Sequence, residues 1–365
     1  MKTRILSVDV LRGLTIFFMI VVNTPGSWNY VYAPLRHAAW HGCTPTDLVF
    51  PSFLFVVGLS MSISFRKLPT MQTGEVLQKL FKRAVLIFLI GLLLNWFPFY
   101  HTHISDLRIF GVLQRIALAF LLGGAIIASV RKTRLLLGAF ALLLLGHWAI
   151  LYFAGGDDPY SLEGNFSNVL DRTLFGDRHL YKGFGIPFEP EGLLGTLSSA
   201  GQVILGYLIG KTTLKNGIPG PVQLRNLVVL SLVLMASGLL WDLIYPINKP
   251  LWTGSYVFFS SGIVTAMWGL FIWIIDLQKQ SRWTFVFRVF GQNPLISYIL
   301  SGIIAKIFIY LIPVGETSLM GWVYQYIFQP VFGNYAGSLM FALSFTFFIW
   351  LFAYALYRKG KIIKV

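Results

Sequence analysis

Uncharged apolar runs close to the length of a bilayer-spanning helix recur from one end of this chain to the other. A helix needs roughly 17–25 such residues to cross the hydrocarbon core. Ten runs of this kind are read, with soft boundaries, at 8–24, 47–65, 80–97, 109–130, 134–153, 193–211, 225–245, 254–275, 291–312 and 335–357. The chain has 365 residues, of which 56% are hydrophobic and 12% charged, far too apolar for a soluble domain of this length. The runs are continuous rather than alternating, so they predict helices and not a β-barrel. The expected fold is an all-α integral membrane protein, a polytopic bundle of about ten transmembrane helices forming one domain over 1–365. Two apolar pieces are shorter. WTFVFRVF (283–290) reads as an interfacial helix, and GWVYQYIFQPVF (321–332) as interfacial or re-entrant. Lys2 and Arg4 ahead of an apolar run resemble a signal peptide. Asp9 and Arg12 interrupt that run and no A-x-A site follows, so it is read as a retained first helix.

The net charge of +15 is distributed by loop. Lys2, Arg4 and Arg12, then Arg66 to Arg83, Arg131 to Arg134, Lys211 to Arg225, Lys279 to Arg288 and the tail from Arg358 hold 21 of the 29 lysines and arginines, all toward one side. Basic loops stay in the cytoplasm. Both termini are therefore expected there, with 23–46, 98–108, 154–192, 246–253 and 313–334 facing outward. The charge is topology, and no nucleic-acid partner is expected, since no RNA or DNA module is visible. Half of the 14 acids lie in the outward loop 154–192. They predict either attraction of a cationic substrate or a solvated loop. The one cysteine, Cys43, excludes an internal disulfide.

Ionisable residues within spans are costly in lipid and mark candidate sites. Asp9 and Arg12 share a face of the first span and can pair with each other. Asn23 ends that span, Asp47 opens the second, Arg115 sits inside the fourth, Asp242 ends the seventh and Lys306 lies in the ninth. Most fall in the outer half, at the depth of loop 23–46. Buried polar groups need partners at their own depth, so a single outward-opening polar chamber is expected, walled by that loop.

His37 is the candidate base. Asn23 could donate to an oxyanion, Asp47 could orient the imidazole, and Trp40 offers a flat face of the kind sugars stack on. A solvated loop histidine is the alternative on spacing alone. His37 and His41, with HTH at 101–103, do not amount to three or four convergent zinc ligands, so no metal is expected. No nucleophile elbow, P-loop or dinucleotide fingerprint is present.

RILSVDVLRGLTIFFMIVVN (4–23) and HAAWHGCTPTDLVFPSFLFVVG (37–58) resemble the heparan-α-glucosaminide N-acetyltransferase family and its bacterial NagX-like relatives, within the transmembrane acyltransferases. LRIFGVLQRIAL (107–118), FEPEGLLGTLSSAGQVILG (188–206), INKPLWTGSYV (247–257), GQNPLISYILS (291–301) and the YRKGKIIKV tail (357–365) extend the resemblance in order along nearly the whole chain. It implies transfer of an acetyl group from acetyl-CoA on the cytoplasmic side to an amino sugar beyond the membrane. The implied catalytic residues are His37, Asn23 and Asp47. Arg4, Arg12, Gln114, Arg115, Lys249 and Asn293 are the implied acetyl-CoA contacts, and Trp40, His41, Asn248 and Trp252 the implied acceptor contacts. A multi-pass protein of a bacterial inner membrane, as a monomer or homodimer, is the expected setting. The stretch between Asn23 and His37 carries an insertion with Pro25 and Pro34, and His41 stands where the lysosomal members have Asn. The acceptor is therefore the least transferable feature. A hydroxyl acceptor on an envelope polysaccharide is one rival reading. A sugar permease is another, although no inverted repeat or matched pair of broken helices is found.

Overall fold

A computed structural model describes residues 5–66 and 71–363. The chain is a helical bundle. Its elements are α1 (Leu6–Asn23), α2 (Val49–Ser64, entered through a 3₁₀ turn at Thr46–Leu48), α3 (Thr73–Trp96), α4 (Val112–Ser129), α5 (Thr133–Ala154) and α6 (Phe166–Phe175). There follow α7 (Gly195–Thr213), α8 (Pro221–Asp242), α9 (Gly254–Phe271, running on into a π-helical stretch), α10 (Phe285–Gln292) and α11 (Pro294–Lys306). The short α12 (Leu319–Val323) and α13 (Gln329–Phe332) lead into α14 (Asn334–Arg358). One two-residue hairpin, Pro313–Val314 with Thr317–Ser318, precedes α12.

Every expected span coincides with a long helix. Among the described residues, eight of these are long and apolar enough to cross a membrane: α1, α2, α4, α5, α8, α9, α11 and α14 with their flanking turns. The other two have reasons to be less apolar. α3 carries Glu75, Lys79, Lys82 and Arg83 in its first half. α7 is rich in Gly, Ser and Thr and is buried along nearly its whole length. It packs against α2, α4, α5 and α9. A helix enclosed by other helices is not selected for lipid solubility and can be small and polar. The 283–290 piece is α10. It buries Val289, Phe290 and Gly291 and packs along α1 and α14. The 321–332 piece is a run of short helical turns that folds back onto α14.

Small residues set the closest helix contacts. A Cβ on Gly58 of α2 would strike the Val203 carbonyl of α7, and one on Gly206 of α7 would strike the Phe55 carbonyl of α2. The two backbones therefore touch directly, which is how helices gain dispersion contact where water is no driving force. The α1–α10 crossing repeats the device with Gly13 against the Phe287 carbonyl and Gly291 against the Asp9 carbonyl. Lys306 of α11 donates to the carbonyls of Leu94, Asn95 and Phe97 at 2.7, 3.1 and 2.9 Å. A cation thus satisfies the open C-terminal end of α3, a placement worth about 0.3–1 kcal/mol near a surface and more when enclosed.

α1 rises toward the loop that carries His37, α2 descends from it, and α4 and α7 descend beside α2. The loops 24–48, 97–111, 155–194 and 243–253 consequently gather at one end of the bundle. Gly206→Ala is expected to lower the thermal midpoint in detergent sharply, because neither backbone can yield. Gly138→Ala on α5, where an added Cβ meets nothing within 4 Å, is expected to be neutral or slightly stabilising through helix propensity. Tryptophan-fluorescence melting of both variants measures the contrast.

Candidate active site

The loop after α1 is stitched before it reaches His37. Gly26 N–H donates to the Ser338 carbonyl at 3.2 Å and Ser27 N–H to the Ser338 hydroxyl at 3.1 Å, fastening the loop to α14. A 3₁₀ turn at Ala33–Leu35 uses Pro34 in its first residues. Arg36 then donates to the Val31 carbonyl at 2.7 Å. This turns the chain so that His37 sits 49% exposed above Asp47, which is 1% exposed.

Asp47 is the organising group. Its Oδ1 lies 2.6 Å from His37 Nδ1. Its Oδ2 accepts the Ala38 amide at 2.9 Å and the Thr44 amide at 3.0 Å. The Tyr256 hydroxyl of α9 donates to the Asp47 backbone carbonyl at 2.5 Å. A buried carboxylate holding several N–H groups is an acceptor only. An acceptor-only carboxylate at this distance favours the ring proton on Nδ1, which puts the imidazole lone pair on Nε2.

A second chain segment closes the site. Gly42 N–H donates to the Ile247 carbonyl at 2.7 Å in a short parallel bridge. Asn248 is fully buried. Its amide donates to the Trp40 carbonyl at 3.0 Å and its oxygen accepts the Leu251 N–H at 2.7 Å. That pinning brings Lys249 Nζ to 3.0 Å from His37 Nδ1, 3.4 Å from His37 Nε2 and 3.5 Å from Asp47 Oδ1. Burial pulls the Lys249 ammonium below its ordinary range, against the opposing charges of Asp47 and Glu191. Burial also pushes the Cys43 thiol up to about 12, with Asp47 adding to it, so Cys43 is protonated and unreactive near neutral pH.

Beneath this layer lies a charged network. Arg108 binds Glu189 through Nε at 2.9 Å and NH2 at 2.5 Å, and reaches Glu191 at 2.7 Å. Glu189 is 1% exposed. Burial opposes ionisation of Glu191, but Arg108, Arg115 and Lys249 outweigh it and hold its carboxyl below the usual range. These two acids are therefore neither loop solvation nor a free attractant surface. Arg115 is fully buried. It donates to the Ser199 hydroxyl at 2.9 Å and to the carbonyls of Gly192 and Pro190 at 2.9 and 3.2 Å, with its guanidinium 5.3 Å over the Trp252 ring.

The expected site residues thus divide. His37, Asp47, Lys249 and Asn248 come together, with Trp40 and His41 alongside. Trp40 donates to the Tyr160 carbonyl at 2.8 Å and meets Phe184 and Phe188 edge to face. Asn23 is exposed at the end of α1, and its amide donates to the Met19 carbonyl of its own helix at 2.7 Å. Trp252 is 1% exposed, with its indole N–H on Gln202, so it is part of the core beneath the site and offers no face to an acceptor. Arg12 and Asn293 sit at the opposite end of the bundle. Arg12 reaches the Ser60 hydroxyl at 2.9 Å, the Gly291 carbonyl at 3.2 Å and Asp9 at 3.6 Å. Asn293 clasps the C-terminal tail through Lys361 and Ile363. Arg4 lies outside the described residues. Among the described residues, no group of three His, Cys, Asp or Glu side chains converges as a metal site. Sequence reasoning missed Arg108 and the roles of Glu189 and Glu191. The E-x-E spacing in FEPEG, close after a run of loop acids, was the only local signal.

Residues 4–160, which include Asn23, His37 and Asp47, match the family described as heparan-alpha-glucosaminide N-acetyltransferase, catalytic. The chain is 27% identical to the human heparan-alpha-glucosaminide N-acetyltransferase and 26% identical to the mouse protein of the same name, each over 81% of this chain. It covers 52% and 53% of those two proteins, so it spans about half the length of the curated relatives it matches. By these matches the chain is similar to the heparan-alpha-glucosaminide N-acetyltransferases, over its first 160 residues by the family match and over most of its length by the two relatives.

Proposed function

We propose that this chain is a membrane N-acetyltransferase that moves the acetyl group of acetyl-CoA to the amine of a glucosamine-type sugar on the side of the membrane where His37 opens. The observation that carries the reading is the His37–Asp47 contact at 2.6 Å with Lys249 beside it. An exposed imidazole, fixed in one tautomer by a buried carboxylate, is a general base. A single-pass or purely structural loop has no need of such an arrangement.

Acetyl-CoA would supply the acetyl thioester. The fit of this chain to it is uneven. Gln114 Nε2 is a buried amide donor with no partner among the described residues. It lies beside Gly91 and Gly111, and suits an amide carbonyl of the pantetheine arm. Arg12, 24% exposed and at the far end of the bundle, suits a phosphate of the nucleotide. Asn293 does not suit direct contact, because its amide is spent on the C-terminal tail, whereas Arg115 uses both terminal nitrogens on Ser199, Pro190 and Gly192 and keeps only a buried Nε without a partner among the described residues.

In the reaction, the sugar amine would add to the thioester carbonyl, His37 Nε2 would take the proton that the amine must lose, and the acyl C–S bond would then break, the departing CoA thiolate receiving that proton and leaving as the thiol as the amide forms. Asp47 stabilises the imidazolium this creates. Lys249 stands where negative charge developing on the acyl oxygen is met by a cation. Asn23, the oxyanion donor expected from the resemblance, would have to leave the Met19 carbonyl to take part. Trp40 forms an edge of the acceptor opening, and its clamp on Tyr160 keeps the opening in shape.

Purified protein in detergent, given radiolabelled acetyl-CoA and glucosamine, is expected to yield labelled N-acetylglucosamine. His37→Ala should yield none above background. Failure of the wild type with a panel of amino sugars and hydroxyl sugars would overturn the reading. Asp47→Asn is expected to lower kcat by about 10²–10⁴-fold with a smaller change in KM, since the imidazole loses its tautomer and its counter-charge. Lys249→Arg should retain more kcat than Lys249→Ala if the cation serves the acyl oxygen. Equal losses in the two variants would assign Lys249 to loop packing.

A further inference from the structure

The bundle end remote from His37 holds a cavity of about 300 Å³ that the proposed chemistry does not use. It is lined by Ser62, Phe65 and Arg66 at the end of α2, Ile127 and Arg131 at the end of α4, and by Tyr207, Lys211 and Lys215 from α7 and the turn after it. From the start of α2 beside Asp47 to its end, 16 residues of helix span about 24 Å, so the cavity is roughly a membrane thickness from the imidazole.

Four of the lining residues are cations, and none of the lining residues is acidic. Among the described residues, no carboxylate lies within ion-pairing distance of Arg66, Arg131, Lys211 or Lys215. Three of them are instead steadied by neutral groups. Arg66 donates to the Leu214 carbonyl at 2.8 Å, Arg131 to the Thr73 hydroxyl at 3.2 Å and Lys211 to the Thr133 hydroxyl at 3.3 Å. Four like charges around one concavity repel unless an anion sits among them. Gly58 and Gly206 bring the α2 and α7 backbones into contact within the bundle, so no gap runs between those two helices at that crossing. At about 300 Å³ the cavity has room for a lipid headgroup.

We infer that this cavity binds a phosphate group, and that the group belongs to an anionic phospholipid. Basic pockets between helix ends on the positively charged side of a membrane protein suit lipid phosphates. The surroundings suit acyl chains as well. Leu135, next to the Thr133 that holds Lys211, and Ile218, just beyond Lys215, are large exposed apolar side chains. A lipid held by its phosphate in the cavity would lay its acyl chains along this apolar surface.

The test is native mass spectrometry of the full chain in a neutral detergent. Phosphatidylglycerol or phosphatidylcholine of matched acyl chains is titrated in, and a separate arm follows the thermal midpoint with inorganic phosphate. One phosphatidylglycerol per chain is expected to survive at concentrations where phosphatidylcholine is lost. Lys211→Gln/Lys215→Gln should weaken its retention at least tenfold, and Arg131→Gln alone should weaken it less but in the same direction. Lys79→Gln/Lys82→Gln removes the same charge from an exposed face of α3 at the same end and should leave retention unchanged. Equal retention of the two lipids, or equal losses in the cavity and α3 variants, would overturn the site. A midpoint rise with inorganic phosphate that matches the lipid's and vanishes in the cavity variants would assign the pocket to a soluble phosphate ligand and overturn the lipid.

Discussion

A single buried carboxylate holds the His37 end of this molecule together. Asp47 sits where loop 24–48 becomes α2, and its oxygens gather His37, Ala38 and Thr44 from the loop and Lys249 from a segment some two hundred residues away. Enclosed charges are stable only when every lone pair finds a donor. Here that requirement and the setting of the imidazole are met by the same atoms. The loop cannot take another path without leaving the carboxylate exposed to apolar surroundings. Fold and chemistry therefore constrain one another at this point.

The same economy governs the layer below. Arg108, Glu189 and Glu191 form a closed ion-pair set, and Arg115 spends its guanidinium on backbone carbonyls and Ser199 while lying over Trp252. Such a set gives the loops a rigid floor, and its worth lies in uniqueness of arrangement more than in net stability. Aromatic contacts around Trp40, Phe184 and Phe188 cover its flank. The outer loops are long, but little of their polar backbone is left to chance.

The helices were legible because lipid imposes a length and a polarity that can be counted along a chain. The pairing of His37 with Asp47 was legible for a different reason: ten residues of loop separate them, and the motif around them resembles a known family. Lys249 was legible as a site residue but not as a neighbour of His37, since nothing local in INKPLWTGSYV says which loop it will meet. The burial of Trp252 and Arg115 was illegible for a shared cause. An aromatic or cationic residue near a membrane surface looks like a ligand contact, and only packing reveals that the two are stacked on each other in the core. Glu189 and Glu191 carried the opposite ambiguity, looking like solvated loop acids until Arg108 was placed between them. α7 departed from a lipid-facing composition because its surroundings are protein, a property that belongs to the bundle and not to the segment.

The bridge from Gly42 to Ile247 and Asn248 has a consequence for how the molecule is partitioned. The stretch that carries the family's catalytic signature ends at residue 160, yet the wall opposite its imidazole is built by residues 246–253. Neither half of the polypeptide owns the site. A break in the turn between α7 and α8 would separate base from cation, and any reconstituted chemistry would then report the reassociation of two fragments across one short parallel bridge. The candidate site is in that sense an interface folded inside a single chain.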